Sequence, residues 1–115
     1  MHFGPRPVLL ALAMGACLAA AAACSAPTLP LPPPDTEVGP PNALGIVEVQ
    51  GSGAEPDSIV ICENTNADRQ DSVGIDRADG VGDFVVSLVG EPADVIACYY
   101  FVGYDRSEPR ENPVP

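Results

Sequence analysis

Short apolar runs alternate with turn-forming residues between positions 43 and 106. No segment of ten or more residues in this region spaces its apolar side chains with a helical period, and β-branched residues are frequent. Runs of this kind, each closed by Gly, Asn or Asp, are typical of strands. We therefore predict strands over residues 46–50, 58–63, 72–76, 83–89 and 95–102, with a short edge strand within 103–106.

Tight turns separate these predicted strands at regular intervals. Gly51 and Gly53 follow the first strand, and Gly80 and Gly82 precede the fourth. Glycine tolerates the positive φ that short connections between strands require. The regular spacing of turns predicts an all-β fold, a small antiparallel β-sandwich.

The turn sequences also carry a family resemblance. They read Gly51-Ser52-Gly53-Ala54-Glu55-Pro56 and Ala78-Asp79-Gly80, and an aromatic strand begins near Phe84. In this order they resemble bacterial immunoglobulin-like (Ig-like) or carboxypeptidase-regulatory-like modules, in which the second turn is often shorter than the Val81-Gly82-Asp83 insertion makes it here. The resemblance implies an Ig-like sandwich. It implies no single function, because such folds host many roles.

The amino-terminal residues 1–23 have the layout of a secretory signal peptide. Arg6 precedes an apolar run over residues 8–23, which ends in small residues. The run is shorter than the roughly 20 strongly apolar residues that a membrane-spanning helix needs. We therefore expect export of the protein and not a permanent membrane span.

Ala21-Ala22-Ala23-Cys24 closes this run and resembles the lipobox of bacterial lipoproteins, although Ala21 replaces the usual Leu. The resemblance implies that Cys24 is acylated, becomes the mature amino terminus and anchors the protein to a membrane. Ser25, which follows it, is the residue type that implies sorting to the outer membrane. Cys17, after Met14-Gly15-Ala16, is a poorer second candidate, and an ordinary cleaved signal is a third interpretation.

Proline dominates the segment that follows. Residues 26–42 contain seven prolines, and proline fixes φ and lacks a backbone N–H. We expect residues 24–43 to form an extended tether that pairs with no sheet, and residues 107–115, with three more prolines among charges, to form a disordered tail. The predicted folded domain is then residues 44–106.

The charge of the chain excludes some partners. Among its 115 residues, 16 are Asp or Glu and five are Arg, there is no Lys, and the formal net charge is −11. Such a charge opposes binding to nucleic acid. The expected partners are the membrane, through the lipid, and an envelope protein or a glycan.

Cys62 and Cys98 lie on predicted strands of a domain too small to be comfortably stable without a covalent staple. In an oxidising compartment they are most simply a disulfide. Two separate buried thiols are the alternative. A zinc site would need more ligands than two Cys, and the only His is His2, inside the signal.

Catalytic chemistry finds little support. The chain has no Lys, which excludes Schiff-base chemistry, and its only His, His2, lies in the signal, which excludes a catalytic triad in the mature chain. We therefore expect no enzyme and no cofactor. Asp76, Asp79 and Asp83 cluster around one turn and are weak candidates for a Ca²⁺ site. Asp is also an ordinary turn residue, and this interpretation is favoured.

Tyr99, Tyr100, Phe101 and Tyr104 form an aromatic cluster on and just after the longest predicted strand. Strand alternation places Tyr99 with Phe101 on one face and Cys98 with Tyr100 on the other. If Cys98 faces the core, Tyr99 and Phe101 either serve a partner or are covered by a loop or the tether.

The expected function is that of a lipid-anchored cell-envelope protein whose single sandwich is a non-catalytic structural or interaction module. The alternative is a lipoprotein that binds Ca²⁺ through the loop Asp residues or a glycan through the aromatic face.

Overall fold

The computed structural model of the chain describes residues 29–115. In this range the protein is almost entirely β-structure, with a single 3-10 turn at Ala67–Arg69 and no α-helix, which confirms the all-β prediction. Accordingly, no helix in the range is long and apolar enough to cross a membrane. The strands are β1 (Asp35–Val38), β2 (Ile46–Ser52), β3 (Ile59–Asn64), β4 (Val73–Arg77), β5 (Phe84–Val89), β6 (Val95–Val102), β7 (Asp105–Arg106) and β8 (Arg110–Pro113).

Two antiparallel sheets pack face to face as a sandwich. The first sheet has the order β1-β2-β5. The second has the order β4-β3-β6, and β7 and β8 pair with successive parts of the remaining edge of β6. All of these pairings are antiparallel, and those of β1 with β2, β3 with β4 and β6 with β7 join strands that follow each other directly in the chain.

The alternation of side chains along the strands builds the core. Val47 and Val49 of β2 are fully buried, whereas Glu48 between them is exposed. Burial of the apolar side chains from both inner faces is the main force that holds the sheets together. The core contains Val47, Val49, Ala54, Val60, Cys62, Ala78, Phe84, Val86, Leu88, Ile96, Cys98, Tyr100 and Val114.

The prediction that the proline-rich segment pairs with no sheet is wrong for Asp35–Val38. These four residues contain no proline, and they pair with β2 in the register Asp35↔Ser52 to Val38↔Val49. Proline removes only its own N–H, so the flanking Pro34 and Pro40 leave this short strand able to bond at the edge of a sheet. Pro34 is itself fully buried.

The prediction of a disordered tail is also wrong. Arg110–Pro113 pairs with β6, and Val114 beyond it is only 3% exposed. Pro113 lies at the end of an edge strand, where a missing N–H removes no essential ladder bond. The folded part of the chain therefore extends beyond residues 44–106 on both sides.

Polar side chains close both open sides of the sandwich. On one side, Asp76 of β4 accepts a hydrogen bond from the backbone N–H of Val85 in β5 (3.0 Å). On the other side, Arg110 Nε of β8 donates to the carbonyl of Pro34 (3.0 Å), and the Asn112 amide donates to Thr36 of β1. The two segments that sequence reasoning left unstructured thus hold each other in place.

The Cys62–Cys98 disulfide is formed. Its cysteines lie directly opposite each other on β3 and β6, with their Cα atoms 4.1 Å apart and both side chains buried in the core. The bridge therefore joins neighbouring strands of one sheet, whereas the disulfide of antibody domains joins the two sheets.

Candidate functional site

The outer surface of the second sheet is unusually apolar for an exposed face. Ile75 of β4 is 66% exposed, Val73 is 47% exposed, and Ile59 of β3 is 36% exposed. The sequence explains this, because the run Ile59-Val60-Ile61-Cys62 is apolar on both faces of the strand. We call this surface the apolar face; it is formed by Ile59, Ile61, Val73, Ile75, Tyr99 and Phe101.

The strand register makes the apolar face continuous. Ile61 lies between Ile75 on one neighbouring strand and Tyr99 on the other. Directly opposite pairs of this kind are close enough for their side chains to touch. The face therefore crosses three strands without a polar interruption at its centre.

The aromatic pair on the apolar face confirms the predicted alternation. Cys98 and Tyr100 are buried, whereas Tyr99 and Phe101 are partly exposed. The rings of Tyr99 and Phe101 meet edge to face, with centroids 5.7 Å apart. The guanidinium of Arg106 lies 4.9 Å from the centre of the Tyr99 ring, so one ring face is already occupied by a cation.

The outer surface of the first sheet is different in character. Its centre carries Glu37, Glu48, Gln50 and Ser87, and the apolar exceptions are at the edge strand β5. Because 16 residues of the chain are Asp or Glu, it is unusual that the centre of the apolar face, on the other sheet, carries none of them. The sandwich thus presents one polar, acidic face and one apolar face.

A buried carboxylate organises the end of the sandwich where β3 and β5 finish. Asp94 is 4% exposed, and its carboxylate accepts hydrogen bonds from the side chains of Asn64 (2.9 Å) and Asn66 (2.8 Å). The backbone N–H of Glu91 donates a further bond (2.9 Å). Arg69 donates from Nε and Nη2 to the two carboxylate oxygens (2.7 and 2.6 Å), which is the strong two-point geometry.

This arrangement fixes two loops and keeps the Asp94 carboxylate unprotonated. The Arg69 guanidinium, followed by the Asn64 amide, keeps the pKa of Asp94 far below its ordinary value. The carboxylate therefore stays ionised at neutral pH, with both oxygens engaged. We interpret it as a clamp between residues 65–72 and 90–94.

Sequence reasoning missed the role of Asp94. Residues 90–94 lie between the predicted strands 83–89 and 95–102, so the sequence indicates only a connection there. The partners meet because β3 pairs with β6, which brings Asn64 opposite Ile96. Nothing local in the sequence reports that pairing.

The three Asp residues considered for Ca²⁺ are turn and edge residues. Asp79 Oδ1 accepts hydrogen bonds from the N–H groups of Val81 (3.0 Å) and Asp83 (2.9 Å). These bonds, the Asp83 bond foremost, lower the pKa of Asp79. Asp76 bonds to backbone N–H groups as well, and in the described range no three His, Cys, Asp or Glu side chains group as a metal site.

The lipidation candidate Cys24 and its alternative Cys17 lie outside the described residues. The first described residues, Leu29–Leu31, are close to Asp105 and Arg106. The chain before β1 therefore meets the sandwich beside β7.

In comparisons with known proteins, no family model matches the chain, and neither a curated protein nor a solved structure matches it significantly.

Proposed function

We propose that the chain is a lipid-anchored protein of the bacterial cell envelope whose sandwich binds another envelope protein through the apolar face and performs no chemistry itself. The signal pattern and the lipobox-like Ala21-Ala22-Ala23-Cys24 support the anchor. The two-sheet antiparallel sandwich is compatible with the Ig-like or carboxypeptidase-regulatory-like module that the turn sequences resemble.

The apolar face is the observation that carries the interaction role. Exposed aliphatic side chains at the centre of a sheet, with charged residues such as Glu63, Arg77 and Arg106 at the margin, are the usual composition of a protein-binding patch. Because two of these three margin residues are Arg77 and Arg106, the partner that fits best has an apolar centre and carboxylates at its margin.

The anchor is tested by metabolic labelling with a palmitate analogue. We expect Cys24→Ala to abolish the label and Cys17→Ala to retain it. Intact-mass measurement of the wild-type protein checks the same point, because the mature chain should begin at Cys24 and carry the mass of the lipid. Label that persists in Cys24→Ala contradicts the anchor.

The interaction surface is tested by photo-crosslinking in cells. A photoreactive residue at position 75, on the apolar face, is compared with one at the exposed Ser87, on the polar face. We expect a cross-linked species at position 75 whose yield falls when Ile59 is also changed to Asp. Equal cross-linking at both positions contradicts the assignment, and a species of twice the chain mass assigns the face to self-association.

Calorimetry with Ca²⁺ and with a glycan panel on the same protein separates this proposal from the ligand-binding alternative. We expect no heat of binding. Saturable heat that is lost in Tyr99→Ala assigns the aromatic pair to a glycan instead.

A further inference from the structure

One end of the sandwich contains the end of β2, the starts of β1 and β5, and the loop that leads into β3. Asp35, the first residue of β1, pairs with Ser52 at the end of β2, and Phe84 at the start of β5 pairs with the neighbouring Gly51. The loop at residues 53–58 then leads to Ile59, which pairs with Phe101 near the end of β6. We call this end the tethered end.

The chain reaches the sandwich at the same end. The carbonyl of Leu31 accepts a hydrogen bond from the N–H of Glu108 (3.0 Å), and the carbonyl of Pro32 accepts one from the hydroxyl of Tyr100 (2.9 Å). Leu29, before these contacts, is 92% exposed. The fixed part of the chain therefore begins at about residue 31, beside the β6–β7 hairpin.

The distance from this point to the proposed anchor is short. From Cys24 to Leu31 the chain can span at most about 25 Å, at about 3.6 Å per residue when fully extended. Tether residues that pack against the sandwich shorten the reach that sequence reasoning assigned to residues 24–43. The tethered end is consequently held near the membrane surface.

A fully exposed aromatic residue projects from the tethered end. Tyr104 forms the tip of the β6–β7 hairpin next to Gly103, whose φ of 62° makes the tight turn, and it has the largest relative exposure among the described apolar side chains (104%). Val102 beside it is also exposed. Tyr is favoured at the boundary between lipid and water because its ring is apolar and its hydroxyl is polar.

We propose that Tyr104 inserts into the headgroup region of the membrane that holds the anchor, so that the strands stand upright on the bilayer. The inference rests on the proposed lipid anchor at Cys24. A single Tyr binds lipid weakly by itself, but the anchor makes its insertion an intramolecular event at high effective concentration. The upright orientation leaves the apolar face open to a neighbouring protein.

Charge selects the lipid for the test. Asp57 and Asp105 also lie at the tethered end, and an anionic surface would repel them. We therefore use vesicles of zwitterionic phosphatidylcholine, with and without brominated acyl chains, and the full lipidated protein purified from the envelope.

The reporter is a single tryptophan, since the natural chain contains none. Tyr104→Trp places it at the tethered end, and Leu44→Trp places it at the opposite end, where Leu44 is 84% exposed. For Tyr104→Trp on vesicles we expect a blue shift of the emission and quenching by brominated lipid. For Leu44→Trp we expect neither change.

Each outcome decides a separate point. Emission of Tyr104→Trp that is insensitive to brominated lipid, from protein that floats with the vesicles and has the lipidated mass, overturns the insertion and leaves the anchor standing. Quenching of both reporters overturns the upright orientation. Protein that lacks the lipid mass and fails to float removes the proposed anchor, and this inference with it.

Discussion

At the scale of single residues, Gly51 shows how closely β2, the central strand of the first sheet, is fitted to its neighbour β5 and to the core. It lies opposite Phe84, whose ring crosses the place where a side chain would begin. A Cβ at Gly51 would come within 2.0 Å of the ring. Because Phe84 is only 4% exposed, the ring has little room to move aside.

Gly51→Ala should therefore destabilise the protein by about 1–3 kcal/mol, the usual range for overpacking a core. Denaturant unfolding of the mature chain measures the loss. Gly80→Ala is the matched control, because a Cβ there meets nothing within 4 Å and its backbone has no positive φ. Equal stabilities of the two variants would show that the Phe84 ring yields freely.

Asp94 is the second residue whose surroundings make a measurable difference. The pKa of Asp94 is lowered in the folded state. As the pH falls below about 4, where an unperturbed Asp titrates, the unfolded chain therefore takes up a proton that the folded protein does not. The stability that Asp94 contributes is fully present above that pH and is lost as the pH falls further.

Asp94→Asn should lower the stability at pH 7, and it should flatten the dependence of stability on pH between about 5 and 2. Urea unfolding at a series of pH values tests this. Asp71→Asn, at an exposed position, should keep the wild-type slope. A slope in Asp94→Asn as steep as that of the wild type would assign the acid sensitivity to other carboxylates.

At the scale of elements, β1 and β8 depend on each other and on the central strands. Each is a four-residue strand at a sheet edge, and neither has an apolar run that would mark it in the sequence. Their side chains bond across the open side of the sandwich, as Arg110 does to Pro34 and Asn112 to Thr36. Val114, after β8, adds a buried apolar contact.

Deletion of residues 110–115 should destabilise the domain by at least about 2 kcal/mol, because it removes the buried Val114 side chain in addition to the β6 pairing. Deletion of the exposed Pro115 alone is the control and should change little. Thermal unfolding of the two proteins gives the comparison. An unchanged melting temperature after the longer deletion would mean that the carboxyl-terminal strand is dispensable.

At the scale of the whole molecule, a disulfide inside one sheet holds the second sheet together, while burial of apolar surface and the polar contacts at both sides join it to the first sheet. The bridge closes a loop with a sequence separation of 36. In the chain-entropy account this contributes about 4 kcal/mol. Such a contribution is a large part of the stability of a small domain.

The double variant Cys62→Ala, Cys98→Ala should accordingly lose about 4 kcal/mol, as measured by denaturant unfolding. In the wild-type protein, alkylation without reductant should leave both residues unmodified, and reduction in denaturant should expose two thiols. Alkylation of Cys62 or Cys98 without reductant would contradict the bridge.

The predicted strands were largely correct because their signal is local. Val47, Glu48 and Val49 alternate between apolar and polar, which by itself indicates a strand with one buried face. Strand β6 was predicted with its observed bounds, Val95–Val102. The turn role of Asp79 was likewise readable, since its carboxylate bonds within its own turn.

The remaining features depend on residues far apart in the chain. Asp35–Val38 and Arg110–Pro113 become strands because β2 and β6 offer them free edges, and proline-rich composition hides such short partners. Asp94 becomes a clamp because strand pairing brings Asn64 and Arg69 to it. The apolar face could not be located from the sequence, because its exposure depends on which surface of the second sheet packs against the first.

The sequence by itself determined the fold class, most strand positions and the disulfide partners, since each follows from residue type and spacing; the anchor at Cys24, inferred from a resemblance, stays a prediction. Only the tertiary structure decided where the folded domain begins and ends, that the disulfide lies within one sheet, and which end of the sandwich the tether meets. These points are decided by contacts between segments distant in sequence, whose energies arise only when the sheets have assembled.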